Sequence, residues 1–190
     1  MMVLVFFASI GYFRSNLMDQ DHFTDNEIDS NTAGDDEDVQ VSEAGQRRTI
    51  KNLELKLENG TSAHLADFKN RVVILSFWAS DCGPCLEELP TFAKLSQTFG
   101  KDKLVVIPVN IEDDESLDKN FVAAFWKKNN FSFPSYFDTK QINAQLMDIQ
   151  VIPTNYVLDK QGRIAFSSFG YNNWSSVKAR DLIKSLVEEI

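Results

Sequence analysis

The pattern of apolar and polar residues divides the chain into three parts. The first is an uninterrupted apolar run that Arg14 closes, and the second is polar, acidic and nearly free of large apolar side chains. In the third, short apolar runs alternate with polar turns, as in a domain with regular secondary structure. Only this last part carries enough apolar surface to offset the entropy of ordering a chain. We therefore predict an apolar N-terminal anchor or signal remnant at 1–14, an acidic disordered linker at 15–46 and a folded domain at 47–190.

The apolar N-terminal run is short for a membrane span. Its thirteen residues would reach about 20 Å as a helix, against a hydrocarbon core of about 30 Å. No Lys or Arg precedes it, and no clear cleavage site follows it. Three interpretations remain open: an export anchor that starts further upstream, a cleaved signal and a plain hydrophobic segment. The acidic segment that follows favours the anchor, since it would act as a spacer between a membrane and the domain.

Within the domain, the spacing of apolar residues predicts a sheet. Residues 53–57 alternate with a period of two before Glu58-Asn59-Gly60, which predicts a hairpin with 61–64. Residues 72–77 are almost continuously apolar, which predicts a strand at the centre of the sheet. Pro108 indicates that the next strand is short or lies near an edge. The remaining strands are predicted at 104–110, 154–158 and 163–169, the last two as an antiparallel hairpin.

Helical spacing predicts helices at 84–99, 115–128, 141–147 and 174–189. The 115–128 helix is expected to turn four apolar residues inward: Leu117, Phe121, Ala124 and Phe125. The last helix is expected to do so with Val177, Leu182, Ile183 and Leu186. The order β–β–β–α–β–α–α–β–β–α predicts an α/β fold with a central mixed sheet flanked by helices.

The net negative charge of the chain comes from its N-terminal part. The formal net charge is −9, and residues 1–45 contain ten acidic residues and one basic residue. Residues 46–190 contain eighteen of each sign. The folded domain is therefore balanced, and it lacks the basic patch expected of a nucleic-acid-binding protein.

Both cysteines of the chain lie in the motif Cys82-Gly83-Pro84-Cys85, directly after the predicted central strand. This places a dithiol at the start of a helix, where backbone N–H groups and the helix dipole stabilise a thiolate. The same spacing also occurs in half of a zinc site and in a static disulfide. A zinc site needs four ligands, and neither His22 nor His64 is placed to complete one. A static disulfide would close a loop too small to remove much chain entropy. The motif therefore favours redox chemistry without a metal or other cofactor.

The segments FWASDCGPCLEELPTF and VIPTNYVLD resemble the membrane-anchored thioredoxin-like proteins of the TlpA/ResA/CcmG type. The resemblance covers about residues 47–190. It implies a thioredoxin fold with an extra N-terminal hairpin and an inserted helix. It also implies a thiol–disulfide oxidoreductase on the outer side of a bacterial inner membrane, which reduces protein disulfides, often those of apocytochrome c.

The resemblance implies roles for individual residues. Cys82 matches the exposed attacking thiol, and Cys85 matches the buried thiol that resolves the mixed disulfide. Glu88 matches an acidic residue one helical turn beyond Cys85, where it would carry a proton to or from a buried thiol; a surface acid is the alternative. Residues Ile152, Pro153 and Thr154 match the cis-proline loop that docks the substrate backbone. Trp78 is expected to pack beside the active site and contribute to substrate binding, or to serve the core alone.

Two residues depart from the family pattern. Ser76 stands where thioredoxins have a buried Asp, which shifts the task of proton transfer toward Glu88. Asp81 stands where the family generally has Trp. A carboxylate there disfavours the Cys82 thiolate and favours the disulfide, which would make the protein a stronger reductant. Together with Gly83 and Pro84, Asp81 is therefore predicted to tune the redox potential, unless its side chain points away into solvent.

These residues predict an extracytoplasmic reductase of protein disulfides, anchored by its N-terminus and recharged by a thiol-reductant donor in the membrane. Cytochrome c maturation is one expected setting. An oxidase or isomerase that uses the same dithiol is an alternative, as is a redox-inert or copper-handling binding module. The copper-handling alternative is weaker because His64 is the one histidine of the domain and precedes the active site.

Overall fold

A seven-stranded mixed sheet forms the centre of the computed structural model, which describes residues 42–189. The strand order across the sheet is β2-β1-β5-β4-β3-β6-β7. The strands are β1 (Glu54–Lys56), β2 (Ser62–His64), β3 (Val72–Trp78), β4 (Leu104–Asn110), β5 (Tyr136–Phe137), β6 (Thr154–Leu158) and β7 (Ile164–Phe169).

The central strand β3 is buried along its whole length because both faces of the sheet are covered. It pairs in parallel with β4 and antiparallel with β6. Val72, Ile74 and Trp78 belong to one core cluster, whereas Val73 and its alternating neighbours belong to the other. This explains why the sequence of β3 is almost continuously apolar and does not alternate between apolar and polar residues.

Four helices flank the sheet in the described part of the chain: α1 (Gly83–Phe99), α2 (Lys119–Asn129), α3 (Ile142–Leu146) and α4 (Val177–Glu188). Helices α1 and α4 contribute buried side chains to the same core cluster. None of the helices within 42–189 is long and apolar enough to cross a membrane. Short 3-10 helices occur at Ala44–Gln46 and Leu65–Phe68.

The predicted mixed sheet, both hairpins and the inserted helix are confirmed. The prediction that Pro108 marks a short or edge strand is wrong, because β4 is seven residues long and lies between β3 and β5. The strand β5 was not predicted, and it pairs with β4 only at Val109 and Asn110. Pro108 therefore lies where one side of β4 has no strand partner, which explains how a central strand accommodates a residue without an N–H group.

Two predicted helix faces need correction. On α2, Phe121 and Ala124 are exposed, whereas Val122 is buried. The helix begins at Lys119 rather than at 115, since Asp118 caps it by accepting from Asn120 N and Phe121 N. On α4, Val177 is 62% exposed because it is the first helical residue, while the predicted Leu182, Ile183 and Leu186 are buried.

Ordered structure reaches back beyond the predicted domain start at residue 47. The Ser42 backbone N–H donates to Ala165 O at 2.9 Å. The buried Arg47 side chain forms ion pairs with Asp159 at 3.2 Å and Glu189 at 2.6 Å, which join this N-terminal stretch to the end of the domain. The predicted anchor at 1–14 and most of the predicted linker lie outside the described residues.

Candidate redox site

Cys82 and Cys85 form a disulfide at the N-terminal end of α1, with the two sulfur atoms 2.04 Å apart. Cys82 caps the helix, and its sulfur accepts a hydrogen bond from the Cys85 backbone N–H at 3.2 Å. In the reduced protein this N–H group and the helix dipole favour a thiolate at Cys82. Cys82 is half-buried, whereas Cys85 is 1% exposed. An incoming disulfide can therefore reach Cys82 and cannot reach Cys85.

The residues around the disulfide differ in exposure. Gly83 and Pro84 are exposed in the first turn of α1, where the missing N–H of a proline costs nothing. Asp81 is also exposed, directly before Cys82. Its predicted effect on the redox potential stays a prediction, as do the effects of Gly83 and Pro84.

A carboxylate that the sequence did not single out holds the loop between β3 and Cys82. Glu112 accepts hydrogen bonds from the Ser80 backbone N–H and from the Ser80 hydroxyl, both at 2.7 Å. The Asn110 side-chain amide donates to the same carboxylate at 2.6 Å, and its oxygen accepts from Glu112 N. The residue two positions before Cys82 is thus tied to the end of β4.

The loop before β6 lies beside the end of β3 that leads to the disulfide, since Thr154 is the cross-strand partner of Phe77. The Ile152–Pro153 peptide bond is cis, as the resemblance implies. Pro153 is buried and Ile152 half-buried. The Pro153 carbonyl accepts from Gly170 N at 2.7 Å.

Two residues expected to bind substrate have buried side chains. Trp78 is 1% exposed, and its ring lies 5.3 Å from that of Trp126, so it has a packing role. Thr154 is equally buried, and its hydroxyl donates to Val151 O at 2.7 Å. A role of these two residues in substrate binding stays a prediction.

Glu88 is a buried carboxylate rather than the surface acid considered as the alternative. It is 1% exposed and lies on α1 three residues after Cys85. Its Oε1 atom accepts hydrogen bonds from Trp174 Nε1 at 2.8 Å, from Asn155 Nδ2 at 3.0 Å and from the Asn172 backbone N–H at 3.0 Å. These contacts hold a titratable group on α1, three residues beyond the buried Cys85.

Burial raises the pKa of Glu88 from 4.5 to about 7, although the three hydrogen bonds to its oxygen act in the opposite direction. Removing a carboxylate from water disfavours its charged form, and donors that point at the carboxylate restore part of the lost solvation. A carboxyl group with this pKa exchanges its proton readily near neutral pH.

The sequence analysis missed Asn155, Trp174 and Glu112. Asn155 could have been found, since an Asn inside the apolar strand β6 is unusual and needs a buried partner. Trp174 and Glu112 gave no comparable signal, because both lie in irregular segments. Within 42–189, no group of three or more His, Cys, Asp or Glu side chains could hold a metal ion.

Comparisons with known proteins agree with this geometry. The chain is 39% identical over 110 residues to the thioredoxin-like protein YneN of Bacillus subtilis (strain 168), over 58% of this chain and 63% of YneN. It is 32% identical over 102 residues to sporulation thiol-disulfide oxidoreductase A of the same organism, over 54% of this chain and 61% of the relative. The chain thus spans less than two thirds of the length of these curated relatives.

Among solved structures, a secreted thiol-disulfide isomerase from Corynebacterium glutamicum superposes with a TM-score of 0.68 at 26% identity. The match covers 82% of this chain and 96% of that protein, and it confirms the thioredoxin fold. The Redoxin family model matches residues 38–183. The chain belongs to the Redoxin family.

Proposed function

We propose that the protein is a thiol–disulfide oxidoreductase that reduces disulfides of protein substrates through Cys82 and Cys85. The observation that carries this proposal is the asymmetry of the disulfide, with one sulfur reachable from solvent and one buried in the same helical turn. The redox group is the cysteine pair itself. The relatives named for thiol-disulfide oxidoreductase activity support the same chemistry.

The reaction transfers two electrons to the substrate. The Cys82 thiolate attacks one sulfur of a substrate disulfide, so that a mixed disulfide forms and the other substrate sulfur leaves as a thiolate. Cys85 then loses its proton, and its thiolate attacks the Cys82 sulfur. The bond between Cys82 and the substrate breaks, and the second substrate sulfur leaves as a thiolate. The substrate is reduced, and the Cys82–Cys85 disulfide is formed.

Glu88 takes the proton that Cys85 loses. The two residues are three positions apart on α1, so their side chains lie on the same face of the helix. A buried thiol cannot release its proton directly to water. A neighbouring carboxyl group with a pKa near neutrality can accept it and pass it on.

Exposed apolar side chains around the cis-proline loop support a protein substrate. Val151 and Tyr171 are each 51% exposed and Phe169 is 67% exposed. Phe169 and Tyr171 flank Gly170, whose N–H group bonds to Pro153 O. These side chains offer an apolar surface beside the cis-proline loop for an extended segment of a substrate polypeptide.

The proposed location is the outer face of a bacterial inner membrane or the periplasm, with the N-terminal run as anchor and a membrane thiol reductant as electron donor. The apolar run at 1–13 and the acidic segment after it support this assignment, as does the secreted thiol-disulfide isomerase among the similar structures. Reduction of apocytochrome c cysteines is one proposed task. A measurement of the redox potential distinguishes a reductase from an oxidase or isomerase that uses the same dithiol.

A cysteine trap tests the proposed function. Reduced Cys85→Ser protein, incubated with a disulfide-bonded test protein, should accumulate a mixed disulfide at Cys82 that added thiol releases. The matched Cys82→Ser variant should accumulate none, because its remaining thiol is buried. Equal trapping by both variants, or trapping by neither, would contradict the proposed roles.

A further inference from the structure

The carboxyl group of Glu88 is bound asymmetrically. Three N–H groups from two different segments converge on Oε1: the Asn155 side chain on β6, and the Asn172 backbone and Trp174 indole in the segment before α4. Among residues 42–189, no hydrogen bond reaches the second oxygen, Oε2. The two oxygens of one buried side chain therefore have different environments.

The Trp174 donor is held rigidly. Its ring centroid lies 5.3 Å from that of Phe92, with the two rings tilted by 31°, and 6.2 Å from that of Phe166, which it meets edge-on. The residue is fully buried. Its backbone N–H donates to the Thr91 hydroxyl at 3.1 Å. Two ring contacts and a backbone hydrogen bond thus hold the indole N–H in place, which limits the rotation of the Glu88 side chain.

We propose that Trp174 and Asn155 are positioning residues, whose N–H groups hold Oε1 of Glu88 and leave Oε2 as the oxygen that takes the proton from Cys85. This inference rests on the proposed function, since it assigns a task within the same reaction. A carboxylate oxygen that already accepts three hydrogen bonds has no lone pair well placed for a proton. The proton therefore goes to the other oxygen.

The proton transfer balances as an exchange between two groups. The Cys85 thiol becomes a thiolate as Glu88 becomes a carboxylic acid with its proton on Oε2. The thiolate then attacks Cys82 and releases the substrate sulfur, which takes a proton from Glu88 or from water. The three N–H donors remain bound to Oε1 throughout, so that no side chain has to move.

The surroundings of Glu88 leave these donors as its main polar contacts. Burial raises the pKa of Glu88, the three donors lower it, and no charged neighbour contributes. The facing side chains of β3, β6 and β7 are neutral: Ser76, Asn155 and Ser168. The titratable groups on α1, α4 and the segments that adjoin them are Cys82, Cys85 and Tyr171, together with the exposed Glu87, Lys94, Lys178, Arg180, Asp181, Lys184 and Glu188.

Loss of one donor should therefore raise the pKa of Glu88 and shift the pH at which it can accept a proton. The test uses the reduced full chain and an aromatic disulfide reagent whose released thiolate is coloured. Stopped-flow mixing should give two phases, attack by Cys82 followed by attack of Cys85 on the mixed disulfide. The second phase of the native protein should rise with pH around a midpoint of about 7.

Trp174→Phe keeps an aromatic ring and removes one donor, and Asn155→Leu removes another, from β6. Each should move the midpoint of the second phase upward by about one pH unit, with the first phase unchanged. Phe166→Leu is the matched control, because it disturbs packing against Trp174 and leaves all three donors in place. It should not shift the midpoint.

The outcomes separate this inference from the proposed function. A second phase whose midpoint is the same in the native protein and in both donor variants would overturn the positioning roles while leaving the cysteine chemistry intact. An equal shift in Phe166→Leu would also overturn them, since packing alone would explain it. A native protein without a second phase would contradict the proposed function itself.

Discussion

Asn155 on β6 is the direct cross-strand partner of Ser76 on β3, and its side chain donates to Glu88 Oε1 at 3.0 Å. Ser76 stands where the resemblance to thioredoxins implies a buried Asp in the strand. The carboxyl group in this chain instead comes from α1 and reaches the same face of the sheet through Asn155. The buried acid of this site therefore lies on the helix that carries both cysteines.

The raised pKa of Glu88 predicts a pH-dependent loss of stability. An unfolded Glu ionises near 4.5, whereas the folded protein holds the proton up to about pH 7. The folded state binds more protons within this window, so its stability should fall by about 3 kcal/mol as pH rises through it. Chemical denaturation of the oxidised protein at several pH values should reveal this decline. Glu88→Gln should abolish the decline, while Glu87→Gln, its exposed neighbour, should retain it.

Asp81 should keep the Cys82 thiolate less stable than a neutral neighbour would. Asp81→Trp is predicted to lower the pKa of the Cys82 thiol and to make the reduction potential less negative. Because Asp81 is exposed, water and salt screen its charge, and we expect both changes to be small. Thiolate absorbance titration and redox equilibration measure both quantities. Asp81→Asn removes the charge alone and should reproduce the direction; no change in either variant would exclude the tuning role.

Glu112 should stabilise the loop that leads to Cys82. Glu112→Ala removes the acceptor of three hydrogen bonds from Ser80 and Asn110. We expect a loss of about 1–3 kcal/mol in the free energy of unfolding of the oxidised protein. Asp114→Ala removes an exposed carboxylate from the same segment and should change little. Equal stability of both variants would show that the loop does not depend on Glu112.

The exposed Phe169 and Tyr171 should matter for protein substrates and not for small ones. Their replacement by Ser should raise the KM for a disulfide-bonded protein several-fold, because apolar contact area beside the cis-proline loop is lost. The rate with a small aromatic disulfide should stay the same, since that reagent contacts only the cysteine. Leu146→Ser, which removes an exposed apolar side chain from α3, is the control. A loss with both substrates would indicate damage to the site itself.

Much of this arrangement could be predicted from local sequence. A buried strand, a tight turn and a helix start each require particular residue types at neighbouring positions. Local sequence therefore predicts the strand at 72–77, the hairpin turns and the placement of Cys82 and Cys85. The helix faces were harder. Phe121 was expected inside and is exposed, while Val122 beside it is buried.

The environment of Glu88 could not be predicted, because it depends on contacts between residues far apart in the chain. Trp174 and Asn172 follow Glu88 by more than eighty residues. No local sequence pattern indicates that their N–H groups donate hydrogen bonds to its carboxylate. The short strand β5 was missed for the same reason. It is two residues long, and its partners on β4 and β1 define it.

The reduction potential of the Cys82–Cys85 pair tests the account most directly. Purified protein is equilibrated with redox buffers of known potential, and the fraction of free thiol is measured by alkylation and mass spectrometry. A reductase should give a value near that of thioredoxin, about −270 mV, or lower. A value near −120 mV, typical of a strong oxidant, would contradict the assignment as a reductase.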